Sequence, residues 1–295
     1  MFRPILEKFG LVSEKLKTKT LATTTQPNAN TAETVQIDLP TDMLLYAIDL
    51  YVNKKTAGTA SDAINEVRLI LDGNKYVKKM TGTMVKTIDQ INGYKPSAGF
   101  YKIWCVDPHV GADPIPTWLL SSCVLEVDVA AQGASEYAQI TPTLTVGLKE
   151  SMPIAKDFSL SKILVEKYLK HAKFGTNTGW QEYKHERTYK IYGYVYEMDD
   201  NGTLSDSIFN KLTLKLISKE EELEPYTEAL ISQLKENLKQ ELLGNALPTG
   251  EVYVPFPDGL KSYRFSSIYS YLNIPSAGTN AGLKVLERYV VGGGE

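Results

Sequence analysis

Residue types able to do chemistry are few and scattered in this chain of 295 residues. Its three histidines are His109, His171 and His185. Tyr183-Lys184-His185-Glu186 sets a base beside a carboxylate, but neighbours on a strand point to opposite faces. No Gly-x-Ser-x-Gly elbow, phosphate-cradling glycine loop or His-x-x-x-His spacing occurs. Glu197-Met198-Asp199-Asp200-Asn201-Gly202 opens like a calcium loop, yet Ile208 stands where a bidentate glutamate is required, so a hairpin turn is expected. Tyr192, Tyr194 and Tyr196 alternate on one strand face; a stacking platform for sugars competes there with a half-buried sheet face, and the acidic balance favours the latter. Cys105 and Cys123 lie in apolar, strand-like sequence and read as buried free thiols. The expectation is a protein that is not an enzyme and needs no cofactor or metal.

Composition narrows the class. The chain is 43% hydrophobic, 10% aromatic and 23% charged, which excludes disorder for its bulk. Lys and Arg number 32 against 35 Asp and Glu, a net charge of -3, so direct nucleic-acid binding is not expected. No signal peptide and no stretch of about 18 apolar residues is present, which predicts a soluble product made in the cytoplasm.

Three segments must position whatever function exists. Phe2, Ile5, Leu6, Phe9, Val12 and Leu16 recur at steps of three and four, predicting an amphipathic helix whose other face carries Arg3, Lys8 and Lys15. Residues 1–19 hold five basic and two acidic side chains, suited to lipid headgroups or a partner protein. Thr18 to Thr34 is polar and aperiodic and reads as a tether, so residues 1–34 form an arm.

From Val35 the pattern is that of short strands: Val35–Leu39, Met43–Val52, Ile64–Leu71, Phe100–Val106, Leu119–Val129 and Tyr137–Leu148. A second series follows: Ser159–Leu169, Arg187–Glu197, Ile208–Ile217, Glu251–Phe256, Tyr263–Ile274 and Leu283–Val291. Asp72-Gly73 and Asn201-Gly202 are hairpin turns, because glycine supplies the positive φ required. The segment Lys149–Asp157 is the expected boundary, giving modules 35–150 and 151–295. Leu223, Tyr226, Leu230, Leu234, Leu238 and Leu242 predict one long helix, about 224–243, opened by Pro225 at its first residue and closed by Gly244. The two modules read as weak copies of one β-fold, the second carrying that helix as an insertion.

The order Ile64-Asn65-Glu66-Val67-Arg68-Leu69-Ile70-Leu71-Asp72-Gly73, then Pro96-Ser97-Ala98-Gly99-Phe100-Tyr101, then Pro114-Ile115-Pro116-Thr117-Trp118-Leu119-Leu120 is similar to a first capsid jelly roll, and Gly179-Trp180-Gln181-Glu182 looks like the opening loop of a second. From Val35 to Val291 the chain resembles the double jelly-roll major capsid proteins of tailless icosahedral viruses with an internal membrane, the tectivirus and adenovirus lineage, which includes bacteriophages. The resemblance implies an all-β fold of two tandem eight-stranded sandwiches and a place in the virion capsid. It also implies homotrimers that tile a shell and meet neighbouring capsid and vertex proteins, with the N-terminal segment reaching the membrane or a neighbouring capsomer. The residues expected to make that contact are Phe2, Arg3, Ile5, Leu6, Lys8, Phe9, Val12, Lys15 and Leu16. The competing reading is a carbohydrate-binding β-sandwich, such as a viral spike or attachment protein, supported by the aromatic content.

Overall fold

A computed structural model of the chain describes residues 16–54, 63–95, 97–107, 110–133, 136–148, 160–187, 189–219, 221–241, 245–276 and 280–291. These residues fall into two compact units. The first takes in residues 16–89, 97–167 and 290–291, and the second 90–95 and 168–289.

The first unit is built from β1 (Leu16–Thr20), β2 (Thr24–Thr25), β3 (Glu33–Asp38), β4 (Met43–Lys54), β5 (Ile64–Leu71), β6 (Lys75–Thr81), β7 (Phe100–Trp104), β8 (Ile115–Pro116), β9 (Cys123–Val129) and β10 (Ala138–Leu148). One sheet runs β1-β10-β4-β7, with β2 on β10 and β8 on β4; four strands of another run β6-β5-β9-β3. Alternation fixes the register. Cys123, Leu125, Val127 and Val129 of β9 are buried, whereas Val124, Glu126 and Asp128 between them are not. A one-residue slip would drive Glu126 and Asp128 inward and expose apolar side chains whose burial contributes about 1.5–3 kcal/mol each. The β5–β6 hairpin turns at Asp72 and Gly73, with φ of 50° and 76°. Asp72 Oδ1 accepts the Ser121 backbone N–H at 2.7 Å and its hydroxyl at 2.9 Å, fastening the turn.

The second unit contains β11 (Leu164–Gly175, from Tyr168 onward), β12 (Gly179–Lys184), β13 (Lys190–Asp200), β14 (Thr203–Leu204), β15 (Lys211–Ile217), β16 (Glu222–Leu230), β17 (Glu251–Lys261), β18 (Ser267–Ile274) and β19 (Ala281–Val290). Its sheets are β12-β18-β15-β16 and β11-β19-β13-β17, with β14 also on β13. Asn201 and Gly202, at φ 52° and 84°, turn the β13–β14 hairpin as expected. The main run of each of these sheets is four strands long, with the short β2, β8 and β14 paired beside them.

Several expectations are corrected. Leu16 is not the last residue of a helical stripe; it opens β1, paired antiparallel with β10 from Gly147. Residues 18–34 are not a free tether: β1 and β2 add to β10, and the buried Gln26 accepts from Ala138 N at 3.2 Å and donates to Thr31 O at 2.8 Å. The polar threonines that suggested a leash are strand formers whose hydroxyls pair across the ladder, Thr20 with Thr143 at 3.1 Å. The helix expected at 224–243 is two elements, strand β16 and then a helix over Ile231–Glu241. Pro225 lies in the strand, tolerated because β16 is an edge. Ser218 and Glu221 close the β15–β16 turn, with Ser218 N donating to Glu221 O at 2.8 Å.

A helix over Gly82–Ile91 also inserts into the first unit, so the second is not alone in carrying one. Thr81 Oγ1 accepts from Met84 N at 3.2 Å at its start, and a Cβ on Gly82 would stand 2.3 Å from Ile64 O. The expected boundary, Lys149–Asp157, lies outside the described residues; in this structure β11 begins in the first unit and passes into the second after Lys167.

Candidate functional site

Of the expected contact residues, Phe2, Arg3, Ile5, Leu6, Lys8, Phe9, Val12 and Lys15 lie outside the described residues; Leu16 stands half-buried at the start of β1.

His171 and His185 are held in structural contacts. His109 lies outside the described residues. His185 is buried behind β12, with its Nε2 2.7 Å from Ser270 Oγ and its Nδ1 3.4 Å from Glu287 Oε1. A serine, a histidine and a carboxylate in that order have the outline of a nucleophile, base and orienting acid. All three are buried, so the arrangement has no substrate access. The serine's oxygen is also held by the Tyr196 hydroxyl at 2.7 Å. Burial lowers the His185 pKa against the opposing pull of Glu287. His171 is half-exposed and lies 2.5 Å from Asp199.

The incomplete calcium loop is occupied by its own neighbours. Asp199 Oδ1 accepts from Gly202 N at 2.7 Å and from Lys173 Nζ at 3.1 Å. Asp200 Oδ1 accepts from Asn280 N at 3.0 Å. Although burial works against it, Asp199 is held below the usual carboxylate range by the Gly202, Lys173 and His171 bonds together. Among the described residues no cluster of three His, Cys, Asp or Glu could hold a metal. Cys105 and Cys123 are free and buried, and burial pushes both thiols up to about 12, far from the reactive range. Beside the Ile231–Glu241 helix is a cavity of about 270 Å³. Its Lys235 is engaged by Asp206 at 2.5 Å and its Lys239 by Glu236 at 3.3 Å.

Tyr194 and Tyr196 are fully buried, so the tyrosine alternation on β13 is a core face and not a sugar platform. The exposed aromatic surface lies elsewhere, on the outer face of β12-β18-β15-β16. Trp180 is 42% exposed, and the rings of Tyr269 and Tyr271 lie 6.0 Å apart. Lys184 Nζ stands 5.8 Å from the Tyr269 ring and Lys215 Nζ 6.0 Å from that of Tyr271. Sequence reasoning missed this face. Tyr269 and Tyr271 alternate just as Tyr194 and Tyr196 do, and alternation alone does not say which side meets the second sheet.

A second outward surface is the ladder on β9 and β5. Arg68 reaches Glu66 at 2.7 Å, Glu126 at 2.8 Å and Asp128 at 2.7 Å. These three carboxylates hold its guanidinium above its ordinary pKa although burial opposes them.

Two sandwiches in tandem, each of two sheets with an inserted helix, form a specific architecture. Solved structures of viral capsid subunits match it along nearly their whole length. The major capsid protein of bacteriophage PM2 matches with a TM-score of 0.65 and 14% identity, covering 93% of this chain and 98% of that one. The atomic structure of Sulfolobus turreted icosahedral virus gives 0.71 and 11% identity, covering 94% and 91%. The capsid of PBCV-1 virus gives 0.61 and 10% identity, covering 93% of each chain.

This chain is a double jelly roll. The expected fold class holds in both modules. No protein-family model matches the chain, and no curated protein matches its sequence. The double jelly roll is therefore recognised through backbone arrangement at sequence identities too low for those comparisons.

Proposed function

We propose that this chain is a major capsid protein. Its homotrimers, pseudo-hexagonal because each subunit supplies two sandwiches, tile an icosahedral shell over an internal membrane. The observation that carries this is two-sided coverage: the double jelly roll of the chain and those of viral capsid subunits account for more than nine tenths of each other. The role is structural, in the virion. The partners are further copies of the chain, neighbouring capsid and vertex proteins, and the membrane. A closed shell needs many repeated, symmetric contacts of moderate strength, which suits a rigid tile.

Residues 1–15, with Phe2, Ile5, Leu6, Phe9 and Val12 on one face and Arg3, Lys8 and Lys15 on the other, are the segment assigned to membrane or neighbour contact. Leu16 belongs to β1 and is left out of that set. Light scattering on a sizing column tests the reading, with the full chain and with residues 1–15 removed. Both forms should run near three times 32.8 kDa. Only the full chain should form shells or bind anionic vesicles. A strict monomer at all concentrations would overturn the reading and favour a carbohydrate-binding sandwich, for which the exposed Trp180 and the half-buried Tyr269 and Tyr271 of the same sheet are the rings to test on a glycan array.

A further inference from the structure

We propose that His185 and Glu287 form an acid-operated latch between the two sheets of the second unit. Ser270, on β18, belongs to one sheet, and Tyr196 on β13 and Glu287 on β19 belong to the other. His185, just beyond β12, sits between them: its backbone N–H donates to Ile268 O at 3.0 Å, and its ring stacks on Tyr194 at 4.2 Å with Tyr183 edge-on at 5.0 Å. A continuous polar path therefore runs from Tyr196 OH to Ser270 Oγ at 2.7 Å, on to His185 Nε2 at 2.7 Å, and from Nδ1 towards Glu287 Oε1 at 3.4 Å.

The path has a direction. The Glu287 carboxylate facing Nδ1 selects the neutral tautomer with its hydrogen on Nδ1, and in that tautomer Ser270 donates to Nε2 and Tyr196 to Ser270. Protonation puts hydrogen on both ring nitrogens. Nε2 must then donate to Ser270. Ser270 Oγ either accepts from Nε2 and Tyr196 together or turns its own proton to the Tyr196 oxygen, and in both cases one hydroxyl hydrogen of the Ser270–Tyr196 pair loses its acceptor. One added proton thus reverses the hydrogen bond between His185 and Ser270 and strands a hydroxyl donor in a core that holds Tyr196 and Ser270 at 0% exposure.

Surrounding groups do not rescue the charged ring. Glu287 favours it, but 3.4 Å is long beside the roughly 2.7–2.9 Å of a charge-assisted bond, and Nδ1, Oε1 and the Tyr194 hydroxyl all lack a hydrogen-bond partner. Lys170 from β11 opposes it. Tyr183 from β12, Tyr194 and Tyr196 from β13 and Tyr226 from β16 are phenols whose pKa values are raised by burial, so they stay neutral. Phe256 of β17 closes the far side of Tyr194 at 5.4 Å. Burial outweighs Glu287 and holds the His185 pKa below its ordinary 6.5. The unfolded chain takes up the proton below about pH 6.5 and the folded unit resists it, so stability is lost as pH falls through that point and is unaffected above it.

Selectively labelled histidine in the full chain, titrated from pH 7.5 to 5 by NMR, tests the latch, with His185→Gln assigning the signal. The His185 ring should titrate below pH 6.5. Between pH 6 and 5 the native chain should lose about 2–4 °C of melting temperature that His185→Gln does not lose. A His185 ring that titrates at or above pH 6.5, or parallel melting curves for the two proteins, overturns the proposal. If His185→Gln does not fold, His109→Gln and His171→Gln assign the remaining signal, and the titration of the native chain decides alone.

Discussion

His171 Nε2 on β11 lies 2.5 Å from Asp199 Oδ2 on β13, and the bond crosses the strand between them, β19, at Gly282. A Cβ at Gly282 would stand 2.5 Å from both of those atoms. Glycine is required here for the room it leaves, since its φ is not in the left-handed region. Gly282→Ala should therefore separate the pair or displace β19, costing about 1–3 kcal/mol in urea unfolding. His171→Ala/Gly282→Ala should recover part of that loss, because the added Cβ then meets Asp199 alone, which is free to turn into the space the imidazole leaves. Equal losses in the single and double variants would show that Gly282 serves some other need.

Asp89 gives the first unit a pH dependence of its own. It sits in the last turn of the Gly82–Ile91 helix and accepts from Trp104 Nε1 at 2.8 Å and from Lys102 N at 3.2 Å. Burial pushes its carboxyl up to about 7 despite these two bonds, while the Lys102 ammonium is engaged by Asp49 at 2.6 Å. Between about pH 4 and 7 the folded state holds a proton that the unfolded chain has released, so this group's contribution to stability falls as pH rises through that window. Asp89→Asn should remove that slope and exceed the native chain by about 2–4 kcal/mol at pH 8, with little difference at pH 4. Urea unfolding at the two pH values decides; an unchanged slope would mean that Asp89 does not titrate there. Asp89 and His185 act in opposite directions, so acid favours the first unit and weakens the second.

How far the sequence spoke for the fold depends on whether one side of a strand is covered. Ile64–Leu71 is legible to the residue because Val67 and Leu69 are buried against outward Glu66 and Arg68, and Asp72-Gly73 ends it. β16 has no such contrast. Exposed along most of its length, it shows Leu223, Tyr226 and Leu230 at steps of three and four that a helix would share. Only its cross-strand pairs, Leu216 with Leu223 and Leu214 with Tyr226, make it a strand. The exposed Trp180 and the path from Tyr196 to Glu287 are illegible for a related reason. Both depend on which faces meet, and that is decided by strands distant in sequence.

Lys78 and Glu166 form an ion pair at 2.8 Å with both side chains at 0% exposure, on the directly paired positions of β6 and the start of β11. Desolvating both charges costs nearly what their attraction returns, so the pair fixes register more than it adds stability. Glu166→Gln should lose about 3–5 kcal/mol because it leaves a buried ammonium without its counter-charge. Lys78→Met/Glu166→Leu should unfold within about 1–2 kcal/mol of the native chain, or above it. A double variant as unstable as Glu166→Gln would show that the pair itself, and not its breakage, carries the energy.

Arg68 presents the same physics at a wetter site. Its side chain retains 18% exposure, and the carboxylates of Glu66, Glu126 and Asp128 converge on it. Thr34 and Gln36 of β3 extend the ladder, to Asp128 at 2.6 Å and Glu126 at 2.9 Å. Three negative charges around one guanidinium leave a net negative patch, so the arginine's main work is to suppress repulsion between β5 and β9. Arg68→Met keeps the apolar stem and removes the charge. It should cost about 1–3 kcal/mol at low salt, and most of that should return at about 1 M salt, where the Debye length is near 3 Å. Asp128→Asn in the Arg68→Met background should also recover stability, by relieving the crowd. A salt-independent loss would instead assign Arg68 a packing role, and the ladder would then be a consequence of the register and not one of its causes.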